Sequence, residues 1–509
     1  MRTIFLIVLS FVLALGGRLS HSDTNEHQSS WQEKIDQELL IASEGEPQEF
    51  IIFLSEQGDL SGAADLKTKT EKGEYVYQQL IATARRSQAP IVQYLSLEGV
   101  EYRPYWVANM IWVRGNGETL QMLAMREDVG HIYGNPQVKL AEPSMGPETV
   151  LQQAVDTPEW NISKIHAPEV WALGYQGQGI TIGGQDTGYQ WDHPALINQY
   201  RGWDGATADH NYNWHDAIHS GSGNPCGSDA QEPCDDHRLG HGTHTMGTMV
   251  GQEEDLSNQV GVAPQAKWIG CRNMDQGIGS PATYAECYQW FIAPTDLNNS
   301  NPDTSKAPDV INNSWSCPVS EGCSDLLVLQ MLQEVVESVR AAGILTVQSA
   351  GNSGPTCSSI NTPSAIYEAS FSVGNTNMDD IISISSSRGP VTIDGSRRIK
   401  PDVSAPGTLI RSSIRGDGYG SLSGTSMAGP HVAGLAALLF SARPELVGQV
   451  EQTEHFISHS AVPVTSNSQC GGIPDSAYPN NSSGWGRVDA LIALYYGRYL
   501  QFLPMINQQ

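Results

Sequence analysis

Five short apolar runs place the tightest limit on how this chain can fold. Gly179–Gly184, Lys267–Cys271, Asp309–Asn313, Ile344–Ser349 and Phe371–Gly374 each have the length of a strand. Helical patterns lie among them and after them, around 282–293, 325–342 and 426–441, the second stopped by Gly343. Strands alternating with helices imply βαβ units, whose crossovers cover both faces of a parallel sheet. The expected fold class is therefore α/β, a doubly wound and mostly parallel sheet. Functional groups in such a sheet gather at the carboxyl ends of the strands.

The chain has 509 residues, too many for one core. Residues 48–141 read as a separate, cysteine-free unit. Phe50–Leu54 predicts a strand, Tyr75–Leu97 a long helix broken near Pro90, and Val100–Arg114 one or two strands. A short helix over Glu118–Glu127 and a last strand over His131–Leu140 complete the unit. That β-α-β-β-α-β order predicts a small α+β, ferredoxin-like domain. Residues 21–47 are polar and patternless, and residues 142–159 carry Pro143, Gly146 and Pro147; both read as linkers, the second exposed. The α/β domain is expected over 160–495. Inside it, residues 202–240 break the strand–helix rhythm and read as a surface insertion. Residues 496–509 form an apolar tail expected to pack back on the domain.

The first 20 residues have the plan of a secretory signal peptide. Arg2 precedes an apolar run from Ile4 to Leu15, broken only by Ser10, and Ala14-Leu15-Gly16 offers small residues for cleavage. The run is too short to span a bilayer. An extracellular protein is expected, and export makes the cysteines readable. Their even number, eight, points to disulfides. The expected pairs are Cys226–Cys234, Cys271–Cys287, Cys317–Cys323 and, left over, Cys357–Cys470. A net charge of −27 argues against nucleic acid and anionic membrane as partners.

Four motifs sit at predicted strand ends or helix starts. Ile180–Gly188 delivers Asp186 to a strand's carboxyl end. His241-Gly242-Thr243-His244 puts a glycine beside His241, which would leave its imidazole uncrowded. Ser349–Pro355 presents Asn352 on a tight turn as a neutral donor suited to an oxyanion. Gly424-Thr425-Ser426-Met427-Ala428 presents a serine where an apolar helix begins, with Val432, Leu435, Leu438 and Leu439 at helical spacing and Pro430 placed in its first turn. Taken singly, each has an ordinary explanation: a turn aspartate, a helix start, a turn asparagine, an N-cap serine. His237, His241 and His244 also have the spacing of a shared helical face that could hold a metal. The acid of the metalloprotease helix motif is missing, however, because position 242 is glycine. Together, in the order Asp, His, Asn, Ser, the motifs are far more specific. Asp…His…Ser is one of the chain orders in which a catalytic triad occurs.

On Asp186-Thr187-Gly188, His241-Gly242-Thr243-His244, Ala350-Gly351-Asn352 and Gly424–Ala428, residues 160–495 resemble the subtilisin-family serine endopeptidases, the subtilases. Gln185–Pro194 and Tyr200-Arg201-Gly202-Trp203 resemble the bacillopeptidase F-like branch. The resemblance implies a subtilisin-like sheet. It implies Ser426 as nucleophile, His241 as general base, Asp186 as its orienter, and Asn352 with the Ser426 N–H as oxyanion donors. It makes 48–141 a propeptide that assists folding and occupies the site, with processing expected between Lys139 and Pro147. It places the substrate between Ser314-Trp315-Ser316 and Gly277-Ile278-Gly279, beside Ala350 and Gly351. Ser316 replaces the family's usual glycine and would narrow the rim of the primary pocket. Trp315 either forms part of a subsite, the preferred reading, or belongs to the core.

No cofactor is required for that chemistry. Structural calcium is implied by the resemblance alone, and the acidic residues of the insertion (Asp204, Asp209, Asp216, Asp229, Asp235 and Asp236) show no EF-hand spacing. The expected partners are polypeptide substrates and the chain's own propeptide, with no stable membrane insertion and a monomeric state. Two rival classes remain open: a pseudoprotease that binds without cutting, and a metal-dependent hydrolase.

Overall fold

The computed structural model describes residues 31–41, 46–146, 156–221, 223–316 and 326–496. The expected signal peptide, the Cys317–Cys323 pair and the tail beyond residue 496 lie outside them. The N-terminal unit is a four-stranded antiparallel sheet of β1 (Gln48–Leu54), β2 (Glu101–Tyr105), β3 (Met110–Gly115) and β4 (Val129–Gly134), in the order β2-β3-β1-β4. Alternation along β1 divides its side chains between two cores. Phe50, Ile52 and Leu54 pack with Ile91, Leu95, Leu120 and Leu123. Ile51 joins a cluster that also holds Tyr284, Tyr288, Leu332 and Val335 from the larger domain. Each such apolar side chain contributes about 1.5–3 kcal/mol when fully buried.

The expected long helix is two, Lys69–Ser87 and Ala89–Leu97, with Pro90 near the start of the second, where a missing N–H does least harm. Thr68 and Glu71 form a capping box at the first. Two expectations are corrected. The predicted linker 21–47 includes ordered structure: Ile35 and Leu39 are buried, and Asp36 accepts a hydrogen bond from the Gly134 N–H at 2.8 Å and pairs with His131 at 2.8 Å. The predicted strand His131–Leu140 ends at Gly134 instead. Its last residues leave the sheet as β5 (Val138–Lys139), and further on β6 (Ser144–Met145) lies in what read as an exposed linker.

The larger domain is built on β7 (Thr181–Asp186), β8 (Trp214–Asp216), β9 (Lys267–Arg272), the short β10 (Met274–Asp275) and β11 (Ile278–Gly279), then β12 (Val310–Asn313), β13 (Leu345–Ser349), β14 (Phe371–Thr376) and β15 (Val403–Pro406). Seven of these form one parallel sheet in the order β15-β14-β13-β12-β7-β9-β8. The helix Thr425–Ala442 is buried through Phe440, which is why its apolar residues run all round it. A hairpin, β16 (Ile410–Ile414) and β17 (Gly418–Ser423), leads into that helix. The insertion is less superficial than its composition suggested: Trp214 is 1% exposed and β8 closes one edge of the sheet. Three residues are too few to show a period.

Among the described residues the disulfides are Cys226–Cys234, Cys271–Cys287 and Cys357–Cys470. No described helix is long and apolar enough to cross a membrane.

Candidate active site

Chain order reverses at β7, whose neighbours are β9 on one side and β12 on the other. A crevice opens at the carboxyl end of a strand at such a reversal. Asp186, the last residue of β7, is there and fully buried. Its Oδ1 accepts hydrogen bonds from the Thr187 N–H at 2.8 Å and from His241 Nδ1 at 2.7 Å. The Thr245 hydroxyl donates to Oδ2 at 3.3 Å. His241 opens the helix His241–Val250.

The reason for Gly242 differs from the sequence reading. A Cβ there would stand 2.1 Å from the Gly188 carbonyl oxygen and 3.0 Å from Asp186 Cβ. The glycine therefore lets the helix start press against the end of β7. Gly188 turns the chain at φ 102°, where a side chain would also strike the Cys234 carbonyl.

Sequence reasoning missed the importance of Asp235, which it grouped with the insertion's acids. Asp235 is 3% exposed. Its Oδ1 accepts from Thr187 Oγ1 at 2.9 Å, and its Oδ2 from the Thr243 N–H at 3.0 Å and the Thr243 hydroxyl at 2.7 Å. One carboxylate thus caps the His241 helix and braces the turn after Asp186. No signal in the sequence separates it from neighbouring acids. Burial, the largest influence on His241, disfavours the imidazolium. The Asp186 charge and hydrogen bond, with Asp235 and Glu142, outweigh burial and hold its pKa above the ordinary histidine value.

Ser426 is not an N-cap. Gly424 takes that position without a side-chain bond, and Ser426 is the second helical residue. Pro430 lies inside the helix rather than in its first turn. Lacking an N–H, it cannot bond the carbonyl four residues back, which is that of Ser426. The Ser314 hydroxyl donates to that freed carbonyl at 3.1 Å, and the Ser426 hydroxyl donates to the Ser314 carbonyl at 3.4 Å. His241 Nε2 has no hydrogen-bond partner among the described residues. Such bonds commonly tighten only with substrate in place. Asn352 Oδ1 accepts from the Thr425 N–H at 2.9 Å and from the Thr425 hydroxyl at 3.0 Å. Two donors identify that atom as the oxygen and leave the Nδ2 amide beside the helix start as a donor.

Residues 138–146 run between two strand edges. β5 pairs antiparallel with β11, matching Lys139 to Ile278 and Val138 to Gly279, and the Leu140 N–H donates to the Gly277 carbonyl at 2.7 Å. β6 pairs antiparallel with β17, matching Met145 to Leu422 and Ser144 to Ser423. Backbone groups that a free linker would leave to water are thereby paired with protein. Ala350 is buried, and the Gly351 N–H donates to Thr425 Oγ1 at 3.2 Å. Ser316 is half-buried at the edge of the described residues. Trp315 is corrected. It is 1% exposed, and its ring stacks on Tyr284 at 3.9 Å between centroids. That ring belongs to the core.

The three histidines do not converge on a metal. His237 Nε2 meets Glu142, His241 meets Asp186, and His244 Nε2 donates to the carbonyls of Ile410 at 3.0 Å and Gly420 at 3.2 Å. Burial lowers the His244 pKa to about 3, so it ties helix to hairpin as a neutral ring. Among the described residues no cluster of three or more His, Cys, Asp or Glu side chains has the form of a metal site. The insertion's acids do not fit a calcium cage. Asp216 and Asp236 pair with Arg272, Asp229 with His219, and Asp204 accepts from the N–H groups of its own turn.

Residues 177–486 match the subtilase family. Bacillopeptidase F of Bacillus subtilis (strain 168) is 37% identical over 447 residues, covering 84% of this chain and 29% of that protein. Serine protease AprX of the same organism is 33% identical over 311 residues, covering 55% of this chain and 62% of that protein. Subtilisin E is 27% identical over 417 residues, covering 81% of this chain and 92% of that protein. The chain thus spans less than two thirds of the first two relatives. With a family match across most of its length and a seven-stranded parallel sheet, the chain belongs to the subtilase family, on the bacillopeptidase F branch.

Proposed function

We propose that this protein is a secreted serine-type endopeptidase made as an autoinhibited precursor. The observation that carries the reading is the buried Asp186–His241 hydrogen bond at 2.7 Å at the carboxyl end of β7, next to β12, just beyond which Ser314 bonds Ser426. Ser426 Oγ attacks the peptide carbonyl carbon, and its proton passes to His241 Nε2. Asp186 keeps the other ring nitrogen protonated and stabilises the imidazolium. The oxyanion takes hydrogen bonds from Asn352 Nδ2 and the Ser426 N–H, at the positive end of a buried helix. The imidazolium then protonates the departing amine. Water enters by the same route and hydrolyses the acyl-enzyme. Chain groups alone supply this chemistry, and calcium has no part in it.

Residues 48–141 act as the propeptide. The pairing of β5 with β11, the strand that holds Ile278 and Gly279, supports this, since the connecting segment adds to one expected edge of the cleft as a peptide strand would. Cleavage falls between Lys139 and Pro147. The signal-like N-terminus supports export, and a monomer is expected. A fluorophosphonate probe tests the reading: it should label Ser426 in processed protein and fail on Ser426→Ala. An unlabelled, properly folded and processed protein overturns the reading in favour of a pseudoprotease.

A further inference from the structure

His237 has no part in the chemistry above, yet it is held as firmly as the residues that do. It is 2% exposed. Its N–H donates to Asp235 Oδ1 at 3.1 Å, and its carbonyl accepts from Arg415 Nη1 at 3.2 Å and from the Gly240 N–H at 2.9 Å. Its ring stands edge-on to that of His241, 6.0 Å between centroids. Nδ1 is buried without a partner among the described residues. Among the described residues the ring's side-chain hydrogen-bond partner is Glu142, whose Oε1 lies 3.1 Å from Nε2.

Glu142 lies in the short stretch between the two strand-paired ends of residues 138–146. On its amino side the last backbone bond to the cleft edge is made by Leu140, and on its carboxyl side pairing resumes at Ser144. The Glu142 side chain is 63% exposed, so the protein does not otherwise require it to turn toward His237. Its charge is also felt by His241, the group that must protonate the departing amine.

We propose that His237 is a specificity-determining residue for the leaving side of the cleft, that it selects a carboxylate-bearing side chain on the first residue after the cut, and that the precursor is cut between Ala141 and Glu142. This rests on the endopeptidase reading. Nε2–H donates to the carboxylate, giving the buried ring a hydrogen-bond partner that it otherwise lacks among the described residues. A site built around one such hydrogen bond discriminates against side chains that cannot complete it. The preference runs against the net charge of −27, which on its own would disfavour acidic peptides.

The test uses processed enzyme titrated at Ser426 with fluorophosphonate, and three quenched peptides spanning Val138–Met145 with Glu, Gln or Ala at position 142. The Glu peptide should be cut with a kcat/KM about tenfold above that of the Ala peptide, at the Ala-Glu bond. The ratio should fall to about one in His237→Leu and recover in part in His237→Gln, which restores a donor. The amino terminus of the processed chain should be Glu142. Equal cutting of the three peptides by the unaltered enzyme, or a cut elsewhere in them, overturns the inference and leaves the endopeptidase standing. Failure to cut any peptide, with no labelling of Ser426, overturns the endopeptidase reading itself.

Discussion

Residues 46–134 fold around an antiparallel sheet of four strands and contain no cysteine, whereas residues 156–496 fold around a parallel sheet of seven strands tied by disulfides. In the first region β2 and β3 form a local hairpin, and Phe50 of β1 meets Gly134 of β4 across 84 residues of chain. In the second, Gln185 meets Asn313 across 128 residues of chain. Long closures are slow to form, and the Cys357–Cys470 disulfide holds one across 113 residues once made. The contacts between the regions are noncovalent. Tyr105 OH donates to Glu286 at 2.9 Å, Gln289 accepts from the N–H groups of Trp106 and Val107, and Lys69 pairs with Asp309 at 2.7 Å. The described disulfides all lie within the second region, and the two regions meet through surface complementarity.

Ser426→Ala is the severest test of this contrast. The two regions should remain one polypeptide, with peptide hydrolysis reduced by about 10⁶; separation of the regions in that variant, read by gel and mass spectrometry, breaks the account. Asn352→Ala should slow both separation and turnover by about 10²–10³, with little change in KM. Replacing Cys357 and Cys470 with serine opens a link across 113 residues. Urea unfolding of the α/β domain should show a loss of about 2–5 kcal/mol, with amide exchange in β1 unchanged.

Smaller effects should follow at the contact between the regions. Tyr105→Phe removes a buried hydrogen bond worth about 1 kcal/mol, so the cleaved N-terminal unit should leave the complex about fivefold faster. The smallest effect concerns His219, whose ring bonds Glu286 and Asp229. Burial opposes its charge, but those carboxylates hold its pKa up at about 9, against an ordinary value of 6.5. Its contribution is complete below pH 6.5 and is lost as pH rises through about 9. The melting temperature of the α/β domain should fall over that interval, and His219→Gln should flatten the fall. An unchanged slope would assign the pH response elsewhere.

The long buried strands were legible because a strand covered on both faces is apolar along its length. The five predicted runs correspond to β7, β9, β12, β13 and β14, with small differences at their ends. The short elements were not: β8, β15 and the β16–β17 hairpin carry too few residues, or too many serines and glycines, to show a period. Asp186, His241, Asn352 and Ser426 could be named because each sits in a motif with its own local geometry. Asp235, by contrast, acts through Thr187 and Thr243, which are 48 and 8 residues away. Trp315 was misjudged for the same reason, since only the position of Tyr284 decides whether that ring faces core or cleft.

By itself, then, the sequence determined the class of fold, the order of the two regions and the residues that carry the candidate chemistry, because strand burial, helix starts and tight turns are local demands on residue type. The tertiary structure alone decided that a carboxylate in the insertion braces the site, that Pro430 frees the Ser426 carbonyl for Ser314, and that residues 138–146 pair with β11 and β17 with Glu142 against His237. Each of those depends on groups meeting across long stretches of chain, and pairings of that kind leave no period, spacing or composition to read.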